Sequence, residues 1–440
     1  MESFLAKEVL ALTKGQKILG GAIVLLIVFL GVVIIRVWGV QPPSAVKTVA
    51  IAKGEYDPAV WGKSYPLEYN SYLKNKEMKA SPSGYGGSLL VQKSDMQPEL
   101  KTNFAGYAFS LDYKEDRGHV YALIDQKESK RVTPQTVGTC ITCKTPYIEK
   151  LFAEQGWNYT KTPLLTLIDQ AKHPVSCANC HDPDTMQLRV LNPAFKEAMG
   201  RLGVDLTKAS REEMRSYVCG QCHAEYYMEP GTNRLVFPWD KGFTPQNMYE
   251  YYSTKPNNFE KDWVHGISGA LILKGQHPDF EEWKNGTHGK SGVSCADCHM
   301  PYMLQDGQKY TSHHVTSPLH YIKGSCLTCH RGQTEEWALD QVKTKQDAVF
   351  QMQHAAGQKI AQAHQIIKQA ADSPDVDSGQ LAKARELIRQ AQWYWDYVAA
   401  ANSMGFHNSV QELQTLGQAS DLAWQAIQAA NQAAGRNLLQ

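Results

Sequence analysis

All ten cysteines of this 440-residue chain fall into five C-x-x-C pairs, and four of these pairs are followed directly by histidine. The runs ending in histidine are CANCH, CGQCH, CADCH and CLTCH, whereas the first pair lies in GTCITCK, Gly138 to Lys144. A C-x-x-C-H run is the signature of c-type haem attachment, in which the cysteines form thioethers to the porphyrin. The next residue then lies below the iron as an axial ligand. The pairs are Cys140/Cys143, Cys177/Cys180, Cys219/Cys222, Cys295/Cys298 and Cys326/Cys329.

Zinc ribbons are the competing interpretation, because they also combine C-x-x-C pairs. Zinc does not require a histidine directly after each pair, and five pairs cannot all be matched in twos. The motif histidines His181, His223, His299 and His330 therefore favour haem. Fifteen histidines are present, so eleven remain outside the motifs. That number is sufficient for four distal ligands, as bis-histidine electron carriers would need.

Lys144 occupies the position that histidine holds in the other four motifs. Lysine ligates iron only as the neutral amine, and deprotonation at neutral pH costs about 4–5 kcal/mol from an ordinary pKa. One C-x-x-C-K beside four C-x-x-C-H motifs indicates one haem with a separate task, whose opposite iron face is open to substrate. The alternative is a redox or structural cysteine pair without haem.

The N-terminus carries an apolar run from Ile18 to Ile35 without a charged residue. We expect an uncleaved membrane anchor over residues 17–40, with residues 1–16 cytoplasmic and the remainder on the extracytoplasmic, periplasmic side of the bacterial membrane. A buried core helix and a cleaved signal peptide are the alternatives. The net charge of +1 and the lack of a basic block argue against a nucleic-acid partner.

The remaining chain changes character near residue 335. Residues 41–335 contain every cysteine pair among many turn signals, and they are predicted to form the catalytic domain. Residues 336–440 show helical periodicity, broken at Ser373-Pro374-Asp375, with a third helix expected from about Ser409 to Ala434. Their small apolar residues predict close helix packing, within the subunit or across a dimer interface.

One C-x-x-C-K followed by four C-x-x-C-H resembles the ammonia-forming cytochrome c nitrite reductases, a pentahaem family. The resemblance extends from about Gly106 to His407. It implies five covalent haems, Ca²⁺, nitrite as substrate, six-electron reduction to ammonium, a homodimer and a quinol-oxidising membrane cytochrome as donor. With the helical periodicity, we expect a mainly α, multihaem cytochrome c fold with few short strands, long C-terminal helices and one N-terminal transmembrane helix. A membrane-anchored multihaem electron carrier without a substrate site is the alternative, and a related enzyme acting on hydroxylamine or sulfite is a third possibility.

The resemblance also implies roles for individual residues. The family segments correspond here to Arg117–Ala122, to His223–Tyr227 and to Lys274–Pro278. The implied catalytic residues are Lys144, Arg131, Tyr226 and His277, and the implied calcium ligands are Glu225, Tyr226, Lys274 and Gln276. The implied distal ligands are His314 for the second haem, His119 for the third, His407 for the fourth and His288 for the fifth, with His313 the neighbouring alternative to His314.

The residue types suit this chemistry. Arg131 always carries positive charge, which favours an anionic substrate over the open iron. Carboxylate, amide and carbonyl oxygens are the ligands that Ca²⁺ prefers. A histidine at position 277 and a tyrosine at position 226 can donate protons or hydrogen bonds during reduction.

Overall fold

A computed structural model describes residues 25–26, 28–30, 49–254 and 259–439. The predicted cytoplasmic segment 1–16 and most of the predicted anchor 17–40 lie outside these residues. The five described residues between 25 and 30 are helical and exposed. Within the described part of the chain, no helix is both long enough and apolar enough to cross a membrane. Residues 49–440 form one compact unit, and residues 1–48 are a separate one.

The compact unit is mainly helical, as expected from the sequence. Its α-helices are α1 (Pro58–Gly62), α2 (Pro66–Leu73), α3 (Lys93–Met96), α4 (Leu100–Asn103), α5 (Ala122–Glu128), α6 (Ile148–Gln155), α7 (Leu164–Ala171), α8 (Cys177–Cys180), α9 (Pro193–Arg201), α10 (Arg211–Gly220), α11 (Pro245–Ser253), α12 (Asp279–Asn285), α13 (Thr287–Lys290), α14 (Cys295–His299), α15 (Ile322–Ser325), α16 (Glu335–Ala371), α17 (Ser378–Ala400) and α18 (Ser409–Ala434). Short 3₁₀ helices cover Lys74–Lys76, Ala108–Ser110, His119–Tyr121, Gly138–Cys143, Gly156–Lys161, Leu206–Lys208 and Pro318–Tyr321.

Strands are few and short, which also agrees with expectation. Three antiparallel pairs occur among the described residues: β1 (Tyr227–Met228) with β2 (Leu235–Val236), β3 (Trp263–Val264) with β4 (Leu271–Ile272), and β5 (Tyr302–Gln305) with β6 (Gln308–Thr311). The register pairs Tyr227 with Val236, Trp263 with Ile272 and Tyr302 with Thr311. Each pair joins two neighbouring loop segments, and the three pairs do not combine into a larger sheet.

Local signals set the ends of the three long C-terminal helices. The Thr334 side chain accepts a hydrogen bond from the Trp337 backbone N–H at the start of α16. The Asp377 side chain caps α17 by accepting from the N–H groups of Gly379 and Gln380. The predicted break at residues 373–375 falls between α16 and α17. The third helix ends at Gly435, whose φ of +64° favours glycine.

Helix α17 joins the helical tail to the cysteine-rich part of the chain. It packs against α16 and α18 through small, fully buried residues such as Ala384 and Ala391. Small side chains allow the helix axes to approach closely. Further along the same helix, Trp393, Trp395 and Tyr397 are fully buried. The tail is thus part of the same core as the loops that carry the site.

Capping boxes fix the first turn of two cysteine motifs. Ser176 and Asn179 exchange side-chain and backbone hydrogen bonds around α8. Ser294 and Asp297 do the same around α14. Each box sets the direction of a short helix, and with it the direction of the motif histidine that follows the second cysteine. Interactions between neighbouring residues therefore contribute to the orientation of these two motifs.

Candidate active site

A cavity of about 2200 Å³ runs through the cysteine-rich part of the compact unit, and all ten cysteines line it. Neighbouring motifs meet along this cavity. The thiol of Cys143 lies beside that of Cys222, and each shifts the pKa of the other, while the thiol of Cys219 lies beside that of Cys295 and raises its pKa. The first motif therefore adjoins the third, and the third adjoins the fourth. A series of adjacent attachment points suits electron transfer from one haem to the next.

Four pairs of imidazole rings face each other around the cavity. Their ring centroids are separated by 6.1 to 6.4 Å. The pairs are His181 with His313, His223 with His119, His299 with His407, and His330 with His288. Each pair joins one motif histidine to one histidine from elsewhere in the chain. The structure thus supplies four opposed pairs, one for each C-x-x-C-H motif.

The spacing within these pairs matches ligation of one metal ion from opposite faces. An imidazole nitrogen binds a first-row metal at about 2 Å and the ring centroid lies about 1 Å further, so two opposed imidazoles have centroids roughly 6 Å apart. Burial lowers the pKa of His119 to about 3 and that of His407 to about 4, so both rings are neutral at pH 7. Neutral imidazole is the form that ligates metals. The residues present therefore fit bis-histidine haems.

His223 has two neighbours at this spacing. The His119 ring lies 6.2 Å away and the His277 ring lies 6.4 Å away, centroid to centroid. The resemblance given above implies His119 as the ligand and His277 as the residue facing substrate. With that assignment, His277 lies beside the third-motif histidine while it lines the same cavity as Lys144.

The structure corrects the prediction for His314. The ring opposite His181 is that of His313, whereas the His314 Nδ1 is hydrogen bonded to the Tyr321 hydroxyl at 2.8 Å. Both histidines follow strand β6 in a non-helical segment, where successive side chains project to opposite sides. A one-residue difference therefore decides which ring enters the pair. Sequence spacing alone could not make that choice.

Backbone carbonyls orient three of the paired rings. Nδ1 of His181 lies 2.9 Å from the Met186 carbonyl oxygen, and Nδ1 of His313 lies 2.9 Å from that of Thr311. Nδ1 of His299 lies 3.0 Å from the Thr316 carbonyl oxygen. A carbonyl only accepts, so each ring carries its proton on Nδ1 and keeps Nε2 free as an electron-pair donor. This tautomer is the one that a metal on the cavity side requires.

Lys144 follows directly after the 3₁₀ helix that contains Cys140 and Cys143. Its side chain is half-buried and lines the cavity. Within the described residues, no hydrogen bond or ion pair engages its amino group. The 3₁₀ helix is held close to neighbouring backbone, since a Cβ on Gly138 would lie 2.6 Å from the Thr162 carbonyl oxygen. Tight packing thus fixes the motif, and the lysine is left facing the cavity.

The other three predicted catalytic residues, Arg131, Tyr226 and His277, line the same cavity. The Arg131 guanidinium lies 4.3 Å from the centroid of the Phe109 ring, and its Nε donates to Ser129 Oγ at 3.2 Å. Burial raises the pKa of Tyr226 well above its ordinary value, so its hydroxyl keeps its proton. Burial lowers the pKa of His277 to about 3, and its Nδ1 has no hydrogen-bond partner among the described residues.

Asp116 and Tyr107 also line this cavity, and the sequence did not single them out. Lys144 and Arg131 together offset the effect of burial on Asp116 and hold the pKa of its carboxyl below its ordinary value. Burial raises the pKa of Tyr107. Asp116 directly precedes the Arg117-Gly118-His119 segment, and this adjacency is the signal that would have indicated it.

Glu225, one of the four predicted calcium ligands, is fully buried. One carboxylate oxygen of Glu225 accepts from the Gln276 backbone N–H at 2.6 Å, and the other accepts from the Tyr252 hydroxyl at 3.1 Å. The Lys274 backbone N–H donates to Asp262 at 2.8 Å, and the Lys274 amino group pairs with Asp396 at 2.9 Å. Sequence reasoning missed Asp262, Asp396 and Tyr252.

This arrangement fits a divalent cation. Burial raises the pKa of Glu225 well above its ordinary value and raises that of Asp262 to about 7. Asp396, whose pKa burial also raises, is the partner of the Lys274 amino group. Several buried carboxyl groups therefore share one lysine. Oxygen donors in a region short of positive charge are what Ca²⁺ binds best.

The sequence profile of the family described as cytochrome c552 matches residues 57–438. The chain belongs to the cytochrome c552 family. Among curated relatives, a cytochrome c-552 of Parabacteroides distasonis is 40% identical over 82% of this chain and 74% of its own length. The cytochrome c nitrite reductase subunit NrfA of Nitratidesulfovibrio vulgaris is 36% identical over 84% of this chain and 77% of its own length.

A solved structure supports the same cytochrome c552 assignment. It is the catalytic subunit of the cytochrome c nitrite reductase from Desulfovibrio desulfuricans, which is described as having two calcium sites. The two chains superpose with a TM-score of 0.84 at 35% identity, over 88% of each chain. The helical architecture of this cytochrome c552 chain is therefore that of a nitrite reductase catalytic subunit.

Proposed function

We propose that this protein reduces nitrite to ammonium at the Lys144 end of the cavity. The observation that carries the proposal is the lysine itself. It replaces histidine in one motif of five, and it shares a cavity with Arg131, Tyr226 and His277. The four C-x-x-C-H motifs, each with an opposed histidine, would relay electrons to that position. The family and the named relatives point to the same activity.

Reduction of nitrite to ammonium consumes six electrons and eight protons and releases two water molecules. When bound, the haem beside Lys144 would supply an iron position for the nitrogen atom and a route for electrons. Lys144 would hold this haem through its neutral amine. The thioethers would come from Cys140 and Cys143.

Arg131, Tyr226 and His277 would handle charge and protons. The Arg131 guanidinium, held against Phe109, supplies positive charge for the nitrite anion. Tyr226 retains its hydroxyl proton and His277 is a neutral imidazole, so each can donate a hydrogen bond to a substrate oxygen. Proton donation to oxygen assists cleavage of the N–O bonds.

We assign Glu225, Tyr226, Lys274 and Gln276 to a Ca²⁺ ion beside these residues. Glu225 adjoins Tyr226 in the chain, and Gln276 adjoins His277. One ion would hold both side chains in place and add positive potential to the site. A bound Ca²⁺ would favour the ionised forms of the buried carboxyl groups of Glu225 and Asp262, whose pKa values burial raises.

Five haems and a homodimer complete the proposed assembly. Five cysteine pairs give five attachment sites, of which four have opposed histidines.

Helix α18 exposes Val410, Leu413 and Trp424 on one face, which suits contact with a second copy of the chain. Trp424→Glu should convert the dimer to a monomer in light scattering. An unchanged mass would exclude this face.

We also propose that the enzyme acts on the periplasmic side of the membrane. c-type haems are attached outside the cytoplasm, and the apolar segment within residues 17–40 would hold the enzyme near a quinol-oxidising cytochrome as donor. Cell fractionation of the full chain and of a variant lacking residues 1–40 would separate anchored from released enzyme.

The decisive experiment combines EPR with product analysis on the purified haem-loaded protein. We expect one haem of five to differ from the bis-histidine set, nitrite to alter its signal, and one ammonium to form per nitrite with reduced viologen as donor. Hydroxylamine and sulfite would be compared under the same conditions. Five low-spin haems that do not respond to nitrite would contradict the proposal and favour an electron carrier.

A further inference from the structure

Asp279 lies at the start of α12, two residues after His277, and its carboxylate is buried. Asn402, in the segment after α17, holds this carboxylate through two hydrogen bonds. The Asn402 backbone N–H donates to Oδ1 at 2.9 Å, and the Asn402 side-chain amide donates to Oδ2 at 2.8 Å. Hydrogen bonds of this kind favour the ionised form of a buried carboxyl group. Asn402, which is not among the proposed haem ligands, therefore sets the orientation of both carboxylate oxygens of Asp279.

Each oxygen of Asp279 also faces the outer nitrogen of a different histidine. Oδ2 lies 3.7 Å from Nδ1 of His223, and Oδ1 lies 3.8 Å from Nδ1 of His407. Both separations exceed an ordinary hydrogen bond by roughly half an ångström. Nδ1 of His407 is buried and has no hydrogen-bond partner among the described residues. In the described part of the chain, no other carboxylate lies within 4 Å of two histidines.

The two histidines belong to different pairs. His223 opposes His119 at the third motif, whereas His407 opposes His299 of the fourth motif. These two motifs are adjacent, since Arg215 of α10, four residues before Cys219, donates to Ser294 at 3.2 Å and to Asp297 at 2.6 Å at the start of α14. One carboxylate therefore lies between two neighbouring positions in the proposed electron path.

A carboxylate acceptor changes the ligand more than a carbonyl does. A metal-bound histidine whose second N–H is donated to a carboxylate gains negative character and becomes a stronger electron donor. A stronger donor stabilises the ferric state and lowers the reduction potential. At His181, His299 and His313 the corresponding partner is an uncharged backbone carbonyl.

We propose that Asp279 is a shared positioning residue whose carboxylate faces the Nδ1 atoms of both His223 and His407, and that its negative charge lowers the reduction potentials of the third-motif and fourth-motif haems together. The proposal rests on the haem ligation given above and does not depend on nitrite as the substrate. When two adjacent haems have similar reduction potentials, electrons can pass between them without being held at the haem of higher potential.

The test is potentiometry of the full haem-loaded protein, followed by optical and EPR spectra. Asp279→Asn keeps the shape of the side chain and removes its charge. We expect the potentials of two haems to rise while those of the other three stay at their wild-type values. Asp279→Glu should keep both potentials near wild type, because the charge is retained.

Glu99→Gln is the matched control. Glu99 is buried and its carboxylate lies 2.8 Å from Nδ1 of His354, but neither residue lines the cavity. This substitution should leave all five potentials unchanged. Unchanged potentials in Asp279→Asn, a shift of one haem alone, or an equal shift of all five would overturn the proposal.

A measurement on the wild-type protein covers the case in which Asp279→Asn does not assemble. Near-infrared magnetic circular dichroism reports the donor strength of axial imidazoles. We expect the four bis-histidine haems to divide into two with strong donors and two with ordinary ones, and four identical haems would overturn the proposal. Protein that forms no ammonium yet shows this division would contradict the nitrite proposal alone.

Discussion

The rings of His181 and His313 lie 6.1 Å apart across the cavity, although the adjacent His314 is bonded to Tyr321 instead. Because only His313 opposes the motif histidine, His313→Ala should convert one low-spin haem to a high-spin or open form. His314→Ala is the matched control and should leave all low-spin signals intact. EPR spin quantification of both variants checks this, and the opposite pattern would restore His314 as the ligand.

Lys144→His should leave five haems attached while nitrite turnover falls by about tenfold or more, which corresponds to a barrier increase of about 1.4 kcal/mol. The cysteines remain in place, so attachment is unaffected, whereas imidazole is a different donor from the amine. Haem content by the pyridine haemochrome method and ammonium formation give the two readings. Full activity in this variant would show that the lysine has no special role.

Arg131→Gln should raise KM for nitrite by about tenfold, because it removes a fixed positive charge from the cavity. Arg131→Lys keeps the charge but loses the planar group that faces Phe109, so its effect should be smaller. Arg201→Gln, which breaks the surface ion pair with Asp240, is the control. Steady-state kinetics of the three variants gives the order of their KM values for nitrite. Equal KM values in all three would show that Arg131 does not contribute to nitrite binding.

Glu225→Gln should reduce bound calcium and nitrite turnover together. The buried carboxylate is the central charged donor of the proposed site, and the amide keeps its shape without its charge. Glu229→Gln lies four residues further on and serves as the control. Elemental analysis before and after chelation, with activity restored by added Ca²⁺ in the wild type, is the measurement. If nitrite turnover falls in Glu225→Gln while its calcium content stays constant, Glu225 is not a calcium ligand.

Glu412 is fully buried beside Glu282, and burial raises its pKa to about 8. Its pKa when folded is above its unfolded value, so the unfolded chain loses this proton first as pH rises. The contribution of this group to the free energy of unfolding is fully present below about pH 4.5. It declines as pH rises from there to about pH 8, by up to about 1.4 kcal/mol per pH unit. Glu412→Gln should therefore gain in Tm relative to wild type between pH 5 and pH 8. A difference in Tm between the variant and the wild type that stays constant with pH would contradict a raised pKa for Glu412.

The sequence predicted the elements whose signals are local. Periodicity located the third C-terminal helix, and Ser373-Pro374-Asp375 marked the break between the first two. The C-x-x-C-H motifs indicated the haem chemistry, since each one holds its cysteines and histidine within five residues. These features depend on neighbours in the chain, which is why they could be predicted without the fold.

Contacts between distant segments could not be predicted in this way. Lys274 meets Asp396 across 122 residues, and Asn402 meets Asp279 across 123 residues. No periodicity connects such positions, because the turns between them determine which side chains meet. The choice between His313 and His314 failed for the same reason: the direction of a side chain after β6 depends on the tertiary path of the loop.

His407 lies between α17 and α18, more than a hundred residues after His299, whose ring it faces. The fourth motif therefore acquires its second histidine only when the last part of the polypeptide has been made and packed. A chain that ended before this segment would lack the histidine that faces His299. We therefore expect completion of the fourth-motif site to depend on folding of the C-terminal helices, which carry the second histidine into place.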